Sequence, residues 1–215
     1  MKIAVLISGS GSNLQAFIDD AACGKLSAEI ALVLSNRADA FGLQRAADAG
    51  IATAVVDHKA YEKREDFDRA MLDALAPYSV DLVILAGFMR ILTPVFISTY
   101  SGRLLNIHPS LLPKYTGLHT HQRAIDAGDK WAGATVHFVT EELDGGPPIV
   151  QARVPILRDD NVDALAARVL QREHRIYPLA AQWFAQGRLR LDARGAILDG
   201  EVLGPGGFQL DEPIS

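Results

Sequence analysis

Lys2 to Ile18 reads KIAVLISGSGSNLQAFI. Lys2 to Ser8 is an apolar run rich in β-branched residues, and Asn13 to Ile18 has helical spacing. Gly9-Ser10-Gly11-Ser12 joins them. A strand that passes through glycines into a helix opens an α/β sheet, and a sheet fold of this length commonly forms one domain. The glycines permit a tight turn and close approach of a ligand, while the free amides and positive dipole end of the helix attract an anion. Ser12 or Asn13 is the natural N-cap, or a phosphate contact. The plainer alternative is a loop that only packs strand against helix. Dinucleotide binding fits poorly: Leu14 stands where a third glycine would be, and the next strand, Ile30 to Leu34, runs into Ser35-Asn36-Arg37 without a carboxylate for a ribose diol.

The pattern continues outward from this unit. Phe41 to Ala49 is a short helix stopped by Gly50, and Thr53 to Val56 is a strand. Tyr61 to Leu75 is a charged helix with Phe67, Met71 and Leu75 on one face; Arg64, near its start, reads locally as a solvated charge. Val80 to Ala86 is a strand covered on both faces. It leads into Gly87-Phe88-Met89-Arg90-Ile91-Leu92, which is either a buried connection or the wall of an apolar pocket at a strand's carboxyl end. Thr93-Pro94 starts a short helix.

The chemistry centres on Leu104 to Pro113, Leu-Leu-Asn-Ile-His-Pro-Ser-Leu-Leu-Pro. Pro109 ends a strand, and Asn106 and His108, two apart, share one of its faces. An amide can stabilise a developing oxyanion, and an imidazole can exchange a proton near neutrality. His119 and His121 have the spacing of a metal pair but lack further ligands nearby, so they read as loop-orienting residues. Thr120 to Ala127 is a helix and Gly133 to Thr140 a strand containing His137. Thr140-Glu141-Glu142-Leu143-Asp144-Gly145-Gly146-Pro147-Pro148 is an acidic turn of fixed shape, in which Asp144 is either an ordinary turn residue or a functional carboxylate. Ile149 to Ile156 is the next strand. Asn161 caps a long helix to about Gln186; Glu173 falls on its apolar stripe and must pair internally or face a cleft, and Pro178 is expected to kink or shorten it. Arg188 to Ser215 holds two or three short strand-like pieces and a polar tail.

Composition excludes several classes. The chain has 215 residues, of which 49% are hydrophobic and 22% charged, which argues against disorder. No apolar run is long enough for a membrane helix, and no secretory signal opens the chain, so it reads as cytoplasmic. Cys23 stands alone, which rules out an internal disulfide, and is read as a small apolar filler near the end of the first helix. A net charge of -5 gives no electrostatic footprint for nucleic acid.

Four segments together resemble the folate-dependent glycinamide ribonucleotide formyltransferases. They are Ile7 to Gln15 (ISGSGSNLQ), Leu85 to Leu92 (LAGFMRIL), Leu105 to Pro113 (LNIHPSLLP) and Val136 to Pro147 (VHFVTEELDGGP), within a match from about Lys2 to Trp183. The resemblance implies a Rossmann-like formyltransferase fold: an open, mostly parallel twisted α/β sheet with helices on both faces, and antiparallel strands toward the C-terminal part. Residues 1–190 are expected to form a single formyltransferase domain and 191–215 a C-terminal extension or tail. The implied reaction moves a formyl group from the cosubstrate 10-formyltetrahydrofolate to the amine of glycinamide ribonucleotide, without a metal.

By the same resemblance, Asn106, His108 and Asp144 form the catalytic set, and Gly11, Ser12 and Asn13 hold the substrate phosphate. Glu173 approaches the glycinamide. Arg64, Met89, Arg90, Ile91, Leu92, Asn106, Thr140, Glu141, Glu142, Leu143 and Asp144 surround the folate. Leu170 departs from the family pattern, which has a polar residue near the ribose. Asp144 beside His108 would favour the imidazolium, keeping an acid available for the leaving nitrogen. The expected partners are these two small molecules, with no nucleic acid and no membrane, and a homodimer is allowed for. The rivals are a formyltetrahydrofolate hydrolase, another formyl-folate transferase such as one acting on aminoacyl-tRNA, and a non-catalytic folate or nucleotide binding module. The tRNA enzyme and the hydrolase call for an additional region, and the acidic balance disfavours tRNA.

Overall fold

The computed structural model describes residues 1–210. Its chain divides into two compact units, one from Met1 to Asn106 and one from Ile107 onward. In the first unit the elements run β1 (Lys2–Ile7), α1 (Ser12–Ala22), β2 (Glu29–Ser35), α2 (Phe41–Asp48), β3 (Thr53–Val55), α3 (Arg64–Leu75), β4 (Leu82–Leu85), α4 (Pro94–Thr99) and the start of β5 (Leu104–His108). The strands pair in parallel in the order β5-β4-β1-β2-β3. Ile3 to Ile7 and Leu82 to Ile84 are fully buried, as strands covered on both faces must be. Leu14 and Phe17 of α1 and Phe67, Met71 and Leu75 of α3 complete this core.

In the second unit follow α5 (Thr120–Asp126), β6 (Trp131–Phe138), β7 (Pro148–Pro155), α6 (Val162–Ala185), β8 (Leu189–Asp192), β9 (Gly195–Leu198), β10 (Glu201–Val202) and β11 (Phe208–Gln209). β6 and β7 are antiparallel, β11 adds to β7, and β8, β9 and β10 form a separate small meander. The 24-residue α6 begins at Asn161, whose side chain accepts the Ala164 N–H at 2.8 Å, and buries Leu165, Val169, Ile176, Tyr177 and Ala180. The architecture is thus the expected α/β one, with parallel strands first and antiparallel strands later. Among the described residues no helix is long and apolar enough to cross a membrane.

Local expectations differ from the structure at five places. The cap of α1 is Gly11, at φ +71°, rather than Ser12 or Asn13, both of which lie inside the helix. The charged helix begins at Arg64 rather than Tyr61, because His58–Ala60 forms its own 3₁₀ turn. Cys23 is exposed at the end of α1, where its thiol lies 3.6 Å from the Asp20 carbonyl, so it fills no core. Pro178 does not shorten α6, which continues to Ala185. The C-terminal region forms four short strands, and the predicted tail beyond residue 210 lies outside the described residues.

Candidate active site

In the first unit, the loop after β1 is shaped by contact with α2. A Cβ on Gly11 would come within 2.6 Å of the Gly42 Cα, and the Gly42 N–H donates to the Gly9 carbonyl at 3.0 Å. The Arg45 Nε–H holds the Ser10 carbonyl at 2.8 Å. The glycines therefore pack the loop as well as opening it. The first main-chain bond of α1 is donated by Gln15, to the Gly11 carbonyl at 2.9 Å, so the helix and the positive end of its dipole start directly after the glycine. Gly9 and Ser10 are exposed, Ser12 is half-buried, and no acidic residue occupies the first turn of α1. An anion suits such an end.

The strand β4 opens into the Gly87–Leu92 loop. Leu92 alone of the four predicted folate-facing residues is buried; Met89 is 67% and Ile91 58% exposed, and Arg90 is exposed too. This rules out a buried connection for Met89 to Ile91 and leaves an apolar surface facing solvent. The loop is tied at both ends: the Met89 N–H donates to Ser8 Oγ at 2.8 Å, and Thr93 donates to the buried Asp68 through its N–H and its hydroxyl at 2.6 and 2.7 Å. Burial, opposed by these two bonds, raises the Asp68 pKa above its ordinary value. Arg64 is the exposed first residue of α3. Asn106, half-buried on β5, closes the first unit.

The second unit brings His108 and Asp144 together. Their side chains are each 8% exposed, with Nδ1 and a carboxylate oxygen 3.6 Å apart. The other ring nitrogen, Nε2, lies 2.8 Å from the Tyr115 carbonyl, and since a carbonyl only accepts, that nitrogen carries the hydrogen. The Gly117 N–H donates to Asp144 Oδ2 at 2.9 Å. Asp144 has φ +53° in a turn whose Gly146 is packed on the Phe138 carbonyl, leaving no room for a Cβ. Thr140 is half-buried, while Glu141, Glu142 and Leu143 are exposed. Glu173 is 8% exposed on α6, and Leu170 is half-buried one turn before it.

Two further imidazoles flank the pair. Burial, then the neighbouring His108, lowers the His121 pKa; burial also lowers that of His137, whose Nδ1 lies 2.9 Å from the Phe138 carbonyl. Both rings therefore favour the neutral form. His119 is exposed at the start of α5, and among the described residues no group of three or more His, Cys, Asp or Glu side chains could hold a metal ion.

Several residues that shape this site escape sequence reasoning. Thr135 Oγ1 donates to the Ser110 carbonyl at 2.7 Å and accepts from the Leu112 N–H at 3.1 Å and Gln151 Nε2 at 2.9 Å. This hydroxyl fixes the turn directly after His108. Tyr115 and Asp129 hold the next loop. Thr135 and Gln151 are directly opposite across the β6–β7 ladder, and polar residues at such a position, where neighbours are apolar, are the one local hint of a buried network.

A family model described as formyl transferase matches residues 1–181. The chain is 55% identical over 212 residues to the phosphoribosylglycinamide formyltransferase of Escherichia coli (strain K12), across 99% of this chain and 100% of that protein. It is 52% identical to the enzyme of the same name from Haemophilus influenzae, across 96% and 98%. The solved phosphoribosylglycinamide formyltransferase of Coxiella burnetii superposes with a TM-score of 0.94 at 48% identity, covering 98% of this chain and 99% of that one. With the family model spanning most of its length and relatives matched end to end, the chain belongs to the formyl transferase family.

Proposed function

We propose that this chain transfers the formyl group of 10-formyltetrahydrofolate to the amine of glycinamide ribonucleotide, a step of purine synthesis. The observation that carries the reading is the His108–Asp144 pair at 3.6 Å, enclosed by the Tyr115 carbonyl and the Gly117 N–H, in a chain matched end to end with phosphoribosylglycinamide formyltransferases. The neutral amine attacks the formyl carbon, and negative charge grows on the formyl oxygen. Asn106 and His108 stabilise that charge. The folate nitrogen leaves with the bonding pair and gains a proton, while the new amide loses one; His108 carries it between them. Nδ1 faces Asp144 without a hydrogen bond between them, so this is the nitrogen open to exchange.

By the family resemblance, Gly11, Ser12 and Asn13 are assigned to the phosphate, Arg64, Met89 to Leu92 and Thr140 to Asp144 to the folate, and Glu173 to the glycinamide. The exposed apolar side chains of Met89, Ile91 and Leu143 support the folate role, since a flat heteroaromatic group covers such surface favourably.

The test follows tetrahydrofolate release from 10-formyltetrahydrofolate with and without glycinamide ribonucleotide. Release that requires the amine supports the proposal; release without it indicates a hydrolase, and none in either case a binding module. Asn106→Ala, His108→Ala and Asp144→Asn should each slow transfer on the order of 100- to 1000-fold while the fold stays intact. Near-normal turnover in any one removes that residue from the set.

A further inference from the structure

Both members of the His108–Asp144 pair are held from one short segment. The Tyr115 carbonyl accepts from His108 Nε2, and two residues later the Gly117 N–H donates to Asp144 Oδ2. Where that segment sits therefore sets the orientation of the ring and of the carboxylate together. Its backbone does not favour this shape: Tyr115 is left-handed at φ +58°, a conformation that a bulky residue keeps only when its surroundings impose it.

What imposes it is visible around the tyrosine. Its hydroxyl donates to Asp129 Oδ2 at 2.8 Å, and Lys114 Nζ donates to the same carboxylate at 2.9 and 3.0 Å. The Arg123 guanidinium lies 5.1 Å from the ring centroid, and its Nη1 donates to the Thr116 carbonyl at 2.6 Å. Asp129 is the acceptor on which Tyr115 and Lys114 converge, and hydrogen bonds from Lys114 first and Tyr115 second lower its pKa. The two arms are unequal. The Lys114 side chain is 60% exposed, and an exposed ion pair contributes little; the half-buried Tyr115 makes a charge-assisted bond that acts on the residue whose carbonyl meets His108.

We propose that Asp129 is a positioning residue for the reaction, fixing the Tyr115–Gly117 segment through the tyrosine hydroxyl and thereby aligning His108 with Asp144. This rests on the reading of His108 as the proton carrier. Asp129 touches no reacting atom in this scheme.

The experiment combines steady-state kinetics with ¹⁵N NMR of the His108 ring in the full chain. Asp129→Ala should lower kcat roughly ten- to a hundredfold, leave both KM values within about twofold and move the Nε2 resonance of His108. Tyr115→Phe deletes one oxygen and retains the carbonyl; it should reproduce both effects, and it serves where Asp129→Ala fails to fold. Combining the two changes should add no further loss, because they act on one bond. Asp129→Glu should recover part of kcat, and Lys114→Ala should change kcat by less than about twofold. An unmoved Nε2 resonance, a normal kcat in both Asp129→Ala and Tyr115→Phe, or additive losses would each overturn the proposal. Full turnover in His108→Ala would instead overturn the reading beneath it, and the Nε2 resonance distinguishes the two failures because it is recorded without turnover.

Discussion

Replacing Thr135 with valine exchanges a hydroxyl for a methyl group at a position that is fully buried. Volume hardly changes, so the effect should come from hydrogen bonding. Gln151 Nε2 keeps the Leu112 carbonyl at 2.8 Å and is not orphaned. The Ser110 carbonyl and the Leu112 N–H are, since Thr135 is the partner that each loses. An orphaned buried polar group costs about 1–3 kcal/mol, so the two together should cost about 3 kcal/mol at a moderate value for each. For a chain of this size that corresponds to a fall in Tm of roughly 6–12 °C. Scanning calorimetry of Thr135→Val beside Thr135→Ser provides the measurement, because serine keeps the hydroxyl and loses only the methyl. A valine variant within about 2 °C of the wild type would refute the account. So would a serine variant that falls as far as valine, since packing would then be the cause.

Gly11→Ala should destabilise by at least about 1–2 kcal/mol from its left-handed backbone alone, and more because its Cβ meets Gly42 at 2.6 Å; chemical denaturation checks this, and an unchanged midpoint would contradict it. Asn161→Ala removes the side-chain acceptor for the Ala164 N–H and should cost about 1 kcal/mol, seen as a lower urea midpoint with an unchanged m-value. Asp68 has a pKa raised in the folded state above its ordinary 3.8, so the folded chain binds this proton more tightly than the unfolded one. Its contribution to stability is therefore greatest below pH 3.8 and falls as pH rises through the folded value. The stability of Asp68→Asn relative to wild type should accordingly climb with pH across that window and then level off; a difference that stays constant or declines in denaturation series would show that burial does not dominate this carboxyl.

The sequence patterns that could be read were those whose cause is local. A strand covered on both faces must be apolar throughout, so β1 and β4 declare themselves, and Asn161 stands directly before an apolar stripe of helical period. Asn106 and His108 were legible as a pair because strand geometry fixes side chains two apart on one face. Asp144 and its donor Gly117 are 27 residues apart, and Tyr115 and Asp129 are 14 apart, so no periodicity links them. The same holds for the exposure of Met89 and Ile91: apolar character indicates what a residue avoids, not whether the fold covers it.

Gly11 and Pro178 are misread for opposite reasons. At Gly11 the usual capping preference for Ser12 or Asn13 yields to a close approach by Gly42, which only a glycine backbone permits, so packing moved the helix start by one or two residues. At Pro178 a strong helix-breaking preference is overridden. A proline inside a helix costs about 3 kcal/mol through one lost hydrogen bond and a ring clash, which would stop an isolated helix. Here Ile176, Tyr177, Ala180, Ala181 and Trp183, on either side of it, are all buried, and α6 packs on β6, β7 and β8. Burying one large side chain contributes about 1.5–3 kcal/mol, so Ile176 and Tyr177 together can offset the proline, and ending the helix at Pro178 would also withdraw Trp183 from its contact with Phe208. Tertiary burial thus decides whether the helix continues, and propensity decides only what that continuation costs.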